Sequence, residues 1–200
     1  MSDSAVMQRT RIAVVLAALG LLLAGCGVNT IPTLEEAAKA RWSDVQNQYQ
    51  RRADLIPNLV ETVKGYARHE QDTLTQVVEA RAKATSIKVD ASTITDPAKF
   101  KEFQDAQNQL SGVLGRLLAI TENYPDLKAN QNFLALQSQL EGTENRIAVA
   151  RRDYVNAVQA YNTEVNTFPG LLWAKFFWHA KAMQTFEATP ESQKAPSVKF

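Results

Sequence analysis

The chain has 200 residues, and 22 Lys and Arg side chains nearly balance 21 Asp and Glu side chains, which leaves a net charge of +1. This balance excludes a strongly basic nucleic-acid surface, and a mean hydropathy of -0.26 excludes a polytopic membrane protein. One cysteine excludes an internal disulfide, and two histidines leave little for metal or acid–base chemistry. We therefore expect no nucleic-acid partner, no metal or other cofactor, and no enzyme.

The first 25 residues differ from the rest of the chain. Arg9 and Arg11 precede an uncharged apolar run over residues 12–23. A basic start, a short apolar run and then small residues are typical of a secretory signal peptide. A spanning helix needs about 20 apolar residues, more than this run supplies. Extension to Val28 reaches the lower limit of a span, so an uncleaved N-terminal transmembrane anchor is the alternative.

The run ends in Leu23-Ala24-Gly25-Cys26, which resembles the lipobox of bacterial lipoproteins. We therefore predict a lipoprotein signal peptide over residues 1–25 and attachment of lipid, such as palmitate, at Cys26. Two or more acyl chains at this residue would anchor the protein stably to a membrane. Residues 26–32 would form a tether of roughly 20 Å, which keeps the folded domain close to the membrane. Gly27 in place of an aspartate favours the outer membrane of the bacterial envelope over the inner one, on the periplasmic face.

Residues 33–187 are predicted to form an all-α, antiparallel up-and-down four-helix bundle with long coiled-coil-like helices. Apolar residues there recur at alternating three- and four-residue steps. Asp96 and Pro97 are a favourable pair for a helix start. The four predicted helices are Thr33 to about Lys83, Pro97 to Tyr124, Asn130 to Phe168, and Leu171 to Glu187. Residues 188–200 are predicted to form a disordered tail.

The first predicted helix is longer than its neighbour. At 1.5 Å per residue it spans about 76 Å, against about 42 Å for the second helix. Apolar steps continue through Pro57, which favours a kink over a break, although a break would let the front half fold back. If the helix continues, the segment Thr33–Asp54 lacks a partner. We therefore predict self-association through this segment and a partner or membrane contact at Trp42.

The last predicted helix, over residues 171–187, is dense in aromatic residues with two lysines among them. Such a face either caps the end of a core or lies in a membrane interface. Trp178 lies off the face that Trp173, Phe176 and Phe177 define. It is the residue in this segment that we predict to touch a membrane or a partner.

Three segments resemble the motifs of the LemA family: residues 50–70 its main motif, residues 120–130 its second, and residues 136–151 its third. Tyr161-Asn162 with Phe168-Pro169 is similar to the close of the third block. The resemblance covers about residues 32–187 and implies an up-and-down four-helix bundle outside the cytoplasm, behind an N-terminal membrane segment. The family has no established reaction. One departure is Phe176-Phe177-Trp178, where the family often has Phe-Gly-Phe.

The motif segments carry a set of charged and amide side chains that form a candidate interaction site or polar network. Arg52 occupies an apolar seam, where an unpaired buried charge is costly. Helix lengths predict that it lies near Glu122 or Asp126, and that Glu144 lies level with residues 65–69. The set either fixes helix register as ion pairs or binds a peptide, glycan or partner helix. Its members are Arg51, Arg52, Asp54, Asn58, Glu61, Glu122, Asp126, Glu141, Glu144 and Arg146.

The sequence thus predicts a membrane-anchored lipoprotein of the bacterial envelope that acts as a non-catalytic scaffold or adaptor through protein or membrane contacts. The alternative is an enzyme, or an accessory to one, acting on the cell wall. That alternative requires a polar groove that joins Glu61, Glu122 and Glu144. A third possibility is an antigen-like surface protein with no specific ligand.

Overall fold

The computed structural model describes residues 7–16, 27, 29–90 and 92–187, and these residues contain helices and no strand. This confirms the predicted all-α class. Helix α1 covers residues 7–16, and Cys26 and the predicted tail over 188–200 lie outside the described residues. The other elements are α2 (Thr30–Tyr66), α3 (Gln71–Ser86), α4 (Pro97–Thr121), α5 (Pro125–Lys128), α6 (Gln131–Asn166), α7 (Gly170–Trp173) and a π-helical turn (Ala174–Trp178).

Helices α2, α3, α4 and α6 form an up-and-down bundle. Tyr66, at the end of α2, accepts a hydrogen bond from Asn130, just before α6, so these two helices are antiparallel. They have 37 and 36 residues, about 55 Å each, and pair along their whole length. Arg81 of α3 donates to the carbonyl of Ala53, which folds α3 back along the second half of α2.

The predicted first helix is wrong in one respect, because it ends at Tyr66 instead of continuing to Lys83. A short turn separates α2 from α3, and the Ala67 N–H donates to the Val63 carbonyl to close α2. The apolar steps continue across the turn, since Val63, Ala67, Leu74 and Val77 are all buried. Periodicity alone therefore did not mark the break. Pro57 lies inside α2, as the uninterrupted steps through it predict.

The front half of α2 is not an unpartnered surface. Trp42 is 4% exposed, and its ring lies 5.2 Å from Phe103, 5.2 Å from Tyr154 and 6.1 Å from Phe186, measured between centroids. The start of α4, the second half of α6 and the C-terminal residues cover it together. The prediction that Thr33–Asp54 leaves its apolar face, including Trp42, free for a partner is therefore wrong.

The predicted fourth helix over Leu171–Glu187 is also wrong, because helical structure ends at Trp178. His179 adopts a left-handed backbone conformation with φ 48°, and residues 179–187, the C-terminal segment, continue without regular structure. Gln184 of this segment donates to the carbonyl of Ile94 in the α3–α4 connection. The segment thus packs across the bundle beside the start of α4, where the short helix α3 provides no cover.

Candidate functional site

The bundle has two apolar cores with a polar layer between them. The core nearer the α2–α3 turn includes Ile56, Leu110 and Leu140, and the core nearer the start of α2 includes Tyr49, Phe103 and Ile147. Between these two sets of core residues, each of the helices α2, α4 and α6 carries a polar side chain: Arg52 in α2, Gln107 in α4, and Thr143 with Glu144 in α6.

Arg52 is 1% exposed and reaches both neighbouring helices through its guanidinium group. Its Nη1 donates to Ser111 Oγ at 2.6 Å and to Glu144 Oε1 at 2.8 Å. Its Nη2 donates to Gln107 Oε1 at 2.7 Å and to the Gln107 carbonyl at 3.3 Å. The planar, five-donor geometry of arginine permits this branching, which the ammonium of a lysine could not reproduce.

The surroundings of Arg52 are only partly complementary to a charge. Within the described part of the chain its Nε has no hydrogen-bond partner, whereas its guanidinium carbon lies 5.0 Å from the centroid of the Tyr49 ring, a favourable cation–π distance. Burial raises the pKa of the Tyr49 phenol, so this neighbour stays neutral. The Glu144 side chain is 45% exposed, so the ion pair joins a fully buried cation to a hydrated carboxylate. Arg52 therefore belongs to the interior, and only its counter-ion reaches the surface.

Glu144 borders an open surface groove between α4 and α6 with a volume of about 550 Å³. Ser111 and Glu141 share this groove with apolar residues that include Leu118 and Leu140. Arg52 contributes no atom to its lining. Because the Arg52 guanidinium is engaged in internal hydrogen bonds, the groove presents the carboxylates of Glu141 and Glu144 and the hydroxyl of Ser111.

The structure separates most of the other candidate residues. Arg52 pairs with Glu144, so its predicted proximity to Glu122 or Asp126, and that of Glu144 to residues 65–69, is wrong. The break between α2 and α3 shifted the alignment on which both expectations depended. Glu122 instead pairs with Lys128, and Glu61 lies 3.7 Å from Lys64.

The remaining members of the set make local contacts or remain on the surface. Asp54 accepts a hydrogen bond from Gln50, Glu141 accepts one from Gln137, and Arg146 donates to Gln48 and Thr143. Arg51, Asn58 and Asp126 are exposed. Glu61 lines a groove between α2 and α3, and Glu144 lines the one between α4 and α6. The groove joining Glu61, Glu122 and Glu144, which a cell-wall enzyme would require, is not formed within the described part of the chain.

Sequence reasoning missed Gln107 and Ser111 as partners of Arg52. A signal was available for Gln107, because it occupies a seam position between Phe103 and Leu110 where an apolar residue is expected. A polar residue in such a seam indicates a buried partner. Ser111 lies on an exposed position of α4, and nothing in its sequence context distinguishes it from other surface serines.

The motif pair Tyr161-Asn162 holds the C-terminal segment against α6. The Asn162 amide donates to the carbonyl of Met183 at 2.9 Å and accepts from the Met183 N–H at 2.8 Å. Tyr161 donates to the carbonyl of Lys181, and Tyr154 donates to that of Gln184. These contacts give the pair a structural role that sequence patterning did not indicate.

The aromatic end of the chain differs from its predicted arrangement. Trp178 is 46% exposed, but Phe176 and Phe177 are more exposed, at 66% and 63%. Trp178 is therefore one member of a wider apolar surface and not its single contact residue. In the part of the chain that the structure describes, no helix combines the length and hydropathy needed to cross a bilayer, and no three His, Cys, Asp or Glu side chains gather as a metal site.

Comparison with known proteins gives a family match and several relatives. The sequence model of the LemA family matches residues 41–200. The magnetosome protein MamQ 2 of Paramagnetospirillum magneticum is 28% identical over 187 residues, covering 82% of this chain and 69% of that protein. Protein LemA of Metamycoplasma hominis is 27% identical over 124 residues, covering 62% of this chain and 52% of that protein. The magnetosome protein MamQ of Magnetospirillum gryphiswaldense is 24% identical over 157 residues, covering 70% and 58%.

Proposed function

Because the match over residues 41–200 shows that the chain belongs to the LemA family, we propose that it is a lipid-anchored, non-catalytic adaptor of the bacterial envelope. The observation that carries the proposal is the position of the lipobox. Cys26 ends the sequence Leu23-Ala24-Gly25-Cys26, and α2 begins only four residues later, at Thr30. Acyl chains on Cys26 would therefore hold the bundle directly on a membrane.

The interior of the bundle supports a structural role over catalysis. Its two apolar cores are filled by buried side chains, and Arg52 is held by the hydrogen bonds that it donates to two other helices. The motif carboxylates Glu61, Glu122 and Glu144 do not converge on one groove. The names of the relatives refer to a magnetosome or to the family and to no reaction, which also supports a non-catalytic role.

The anchor is tested by the mass of the mature N-terminus. We expect a terminal residue at Cys26 that carries diacylglycerol or three acyl chains, and a chain that loses residues 1–25. The variant Cys26→Ser should remain unprocessed and take up no labelled palmitate. Processing at another bond, or wild-type protein that retains residues 1–25 without lipid, would refute the lipid anchor and favour the uncleaved transmembrane helix.

Membrane fractionation tests the location. Gly27 follows the lipid-bearing residue, so we propose that the mature protein lies in the outer membrane and faces the periplasm. Separation of the two membranes by density should place the wild-type protein in the outer-membrane fraction. Gly27→Asp provides a matched control, because an aspartate at this position should retain the protein in the inner membrane.

The adaptor role predicts a protein partner on one surface of the bundle. A surface groove of about 710 Å³ runs between α2 and α3 and combines charged side chains such as Glu61 and Arg68 with the half-exposed Val78. A photo-crosslinking residue at Val78 should capture one discrete protein in the native membrane. The same residue at Val149, which is 47% exposed and lies on α6, serves as the control. Equal products at both positions would contradict a partner-specific surface.

A further inference from the structure

The segment after α6 forms an apolar surface at one end of the bundle. Six large apolar side chains within residues 168–178 are at least 45% exposed, and Phe168, at 80%, is the most exposed of them. We call these residues the end patch: Phe168, Leu171, Leu172, Phe176, Phe177 and Trp178. Large exposed apolar surfaces are uncommon on soluble monomers and mark sites of contact with proteins or membranes.

The end patch lies beside the first residue after the predicted lipid attachment site. A Cβ atom built on Gly27 would lie 3.8 Å from the indole nitrogen of Trp173, which neighbours Leu172 in α7. The antiparallel pairing of α2 with α6 also brings the start of α2 to the end of α6. Since consecutive Cα atoms are about 3.8 Å apart, lipid chains on Cys26 would enter the membrane one residue away from this contact with Trp173.

The patch is presented on a rigid support. Leu171 donates its N–H to the Thr167 carbonyl at 2.7 Å, and the N–H of Ala180 donates to the carbonyl of Ala174 at 3.0 Å. The Trp173 and Phe177 rings lie 5.1 Å apart. Ala174, between these two aromatic residues, is 3% exposed and belongs to the core near the start of α2. The buried side of this turn thus fixes the direction in which its aromatic side projects.

The chemistry of the surface matches a lipid interface. Tryptophan and phenylalanine favour the boundary between headgroups and acyl chains, and lysine near them attracts anionic headgroups. Lys175 and Lys181 are both exposed, and the sequence contains no aspartate or glutamate from Val165 to Phe186. Exposed apolar side chains with lysines among them are the combination found on helices that lie in membrane interfaces.

We propose that the end patch inserts into the interface of the bilayer that holds Cys26, so that acyl chains and aromatic side chains form two adjacent membrane contacts. This inference rests on the proposed anchor. A protein partner is less compatible with this position, because it would have to fit between the end patch and a bilayer whose acyl anchor is attached one residue before Gly27. The bundle would then stand on its end, and the α2–α3 turn would lie about 50 Å from the membrane, since α2 has 37 residues.

A depth measurement with spin labels tests this orientation on the full mature chain. Cys26 is the only cysteine, and its thiol is consumed when the lipid is attached, so an introduced cysteine is the single free thiol. The acylated variants Phe177→Cys and Leu172→Cys are labelled and reconstituted into vesicles of phosphatidylcholine and phosphatidylglycerol. Leu134→Cys is the matched control, because Leu134 is 49% exposed and lies near the start of α6, about 48 Å from Asn166 at the other end of the helix.

We expect labels at residues 172 and 177 to be relaxed more by oxygen, which concentrates in the bilayer, than by a water-soluble nickel chelate. The label at residue 134 should show the reverse. Because the vesicles contain no other protein, nickel accessibility at 172 and 177 equal to that at 134 would overturn the inference and assign the patch to a protein partner. The mass of the N-terminal peptide is read on the same samples. A chain without acyl groups would refute the anchor itself, a failure distinguishable from that of the patch.

Discussion

Replacing Arg52 with methionine tests how much the buried hydrogen bonds of Arg52 contribute to the stability of the bundle. Methionine keeps most of the unbranched apolar volume of arginine, so packing against Tyr49 is largely retained. What disappears is the branched set of hydrogen bonds from the guanidinium group to Gln107, Ser111 and Glu144.

The magnitude follows from the exposure of the three partners. Ser111 and Glu144 lie at the surface and can exchange their lost bonds for water. Gln107 is 6% exposed, so its side-chain oxygen would be left buried without a donor. An unsatisfied buried polar group costs about 1–3 kcal/mol. We therefore expect Arg52→Met to lower the free energy of unfolding by about 2 kcal/mol, which is about 4–8 °C in Tm for a domain of this size.

A double-mutant cycle identifies the source of that cost. Gln107→Leu alone should cost about 2–3 kcal/mol, because it leaves the Nη2 of a buried cation with only the carbonyl contact at 3.3 Å. Arg52→Met with Gln107→Leu removes both members and leaves no orphaned group, so the double variant should be more stable than the sum of the single effects predicts.

Urea unfolding of the full chain in neutral detergent, followed by far-ultraviolet circular dichroism, measures all four corners of the cycle. The expected coupling between the two positions is at least about 1 kcal/mol. Additive effects within about 0.3 kcal/mol would refute the argument that the orphaned amide sets the cost. A fully stable Arg52→Met variant that lost its phenotype in cells would instead indicate that the arginine serves a binding function.

Three further predictions concern the end of the bundle and its alkaline stability. Gly170→Ala should cost about 1–3 kcal/mol in urea unfolding, because its Cβ would lie 2.2 Å from the Glu164 carbonyl oxygen. In the control Gly115→Ala, the new Cβ would meet no atom of another described segment within 4 Å, so the change should stabilise α4 by about 0.5–1 kcal/mol. Asn162→Ala removes two hydrogen bonds to the C-terminal segment, so amide hydrogen exchange there should accelerate about tenfold, whereas unchanged exchange would refute the clamp. Burial raises the pKa of Tyr154 above its usual 10.0, so Tm should be level below about pH 9 and fall as pH rises through 10, because the unfolded phenol loses its proton first. Tyr154→Phe should reduce this alkaline fall, and an identical fall in both proteins would contradict it.

Several elements could be read from the chain without its structure. Asp96 accepts hydrogen bonds from the N–H groups of Ala98 and Lys99, as expected of a residue placed before Pro97 at a helix start. Asn130 likewise accepts from the N–H of Phe133 at the start of α6. These signals are local, because a short side chain and the next three residues decide them. Arg52 could also be predicted as a seam residue in need of a partner.

Other features could not be predicted because they depend on contacts between distant segments. The turn after Tyr66 conserves the apolar steps, so helical periodicity gives the same pattern for one long helix and for two antiparallel ones. The C-terminal segment resembles a helix in composition. It loses that conformation because the side chains of Asn162 and of two tyrosines in α6 bond to its backbone groups, in place of the hydrogen bonds that a helix would make.

The sequence by itself determined the helical class, the starts of α4 and α6 and the need for a partner at Arg52, because each follows from local chemistry and spacing. Only the tertiary structure decided that the partner is Glu144 with Gln107 and that the front half of α2 is covered. It also decided that the aromatic end of the chain lies beside Gly27. These outcomes depend on where the chain reverses direction, and a shift of one helix turn moves every cross-bundle pair by about 5.4 Å.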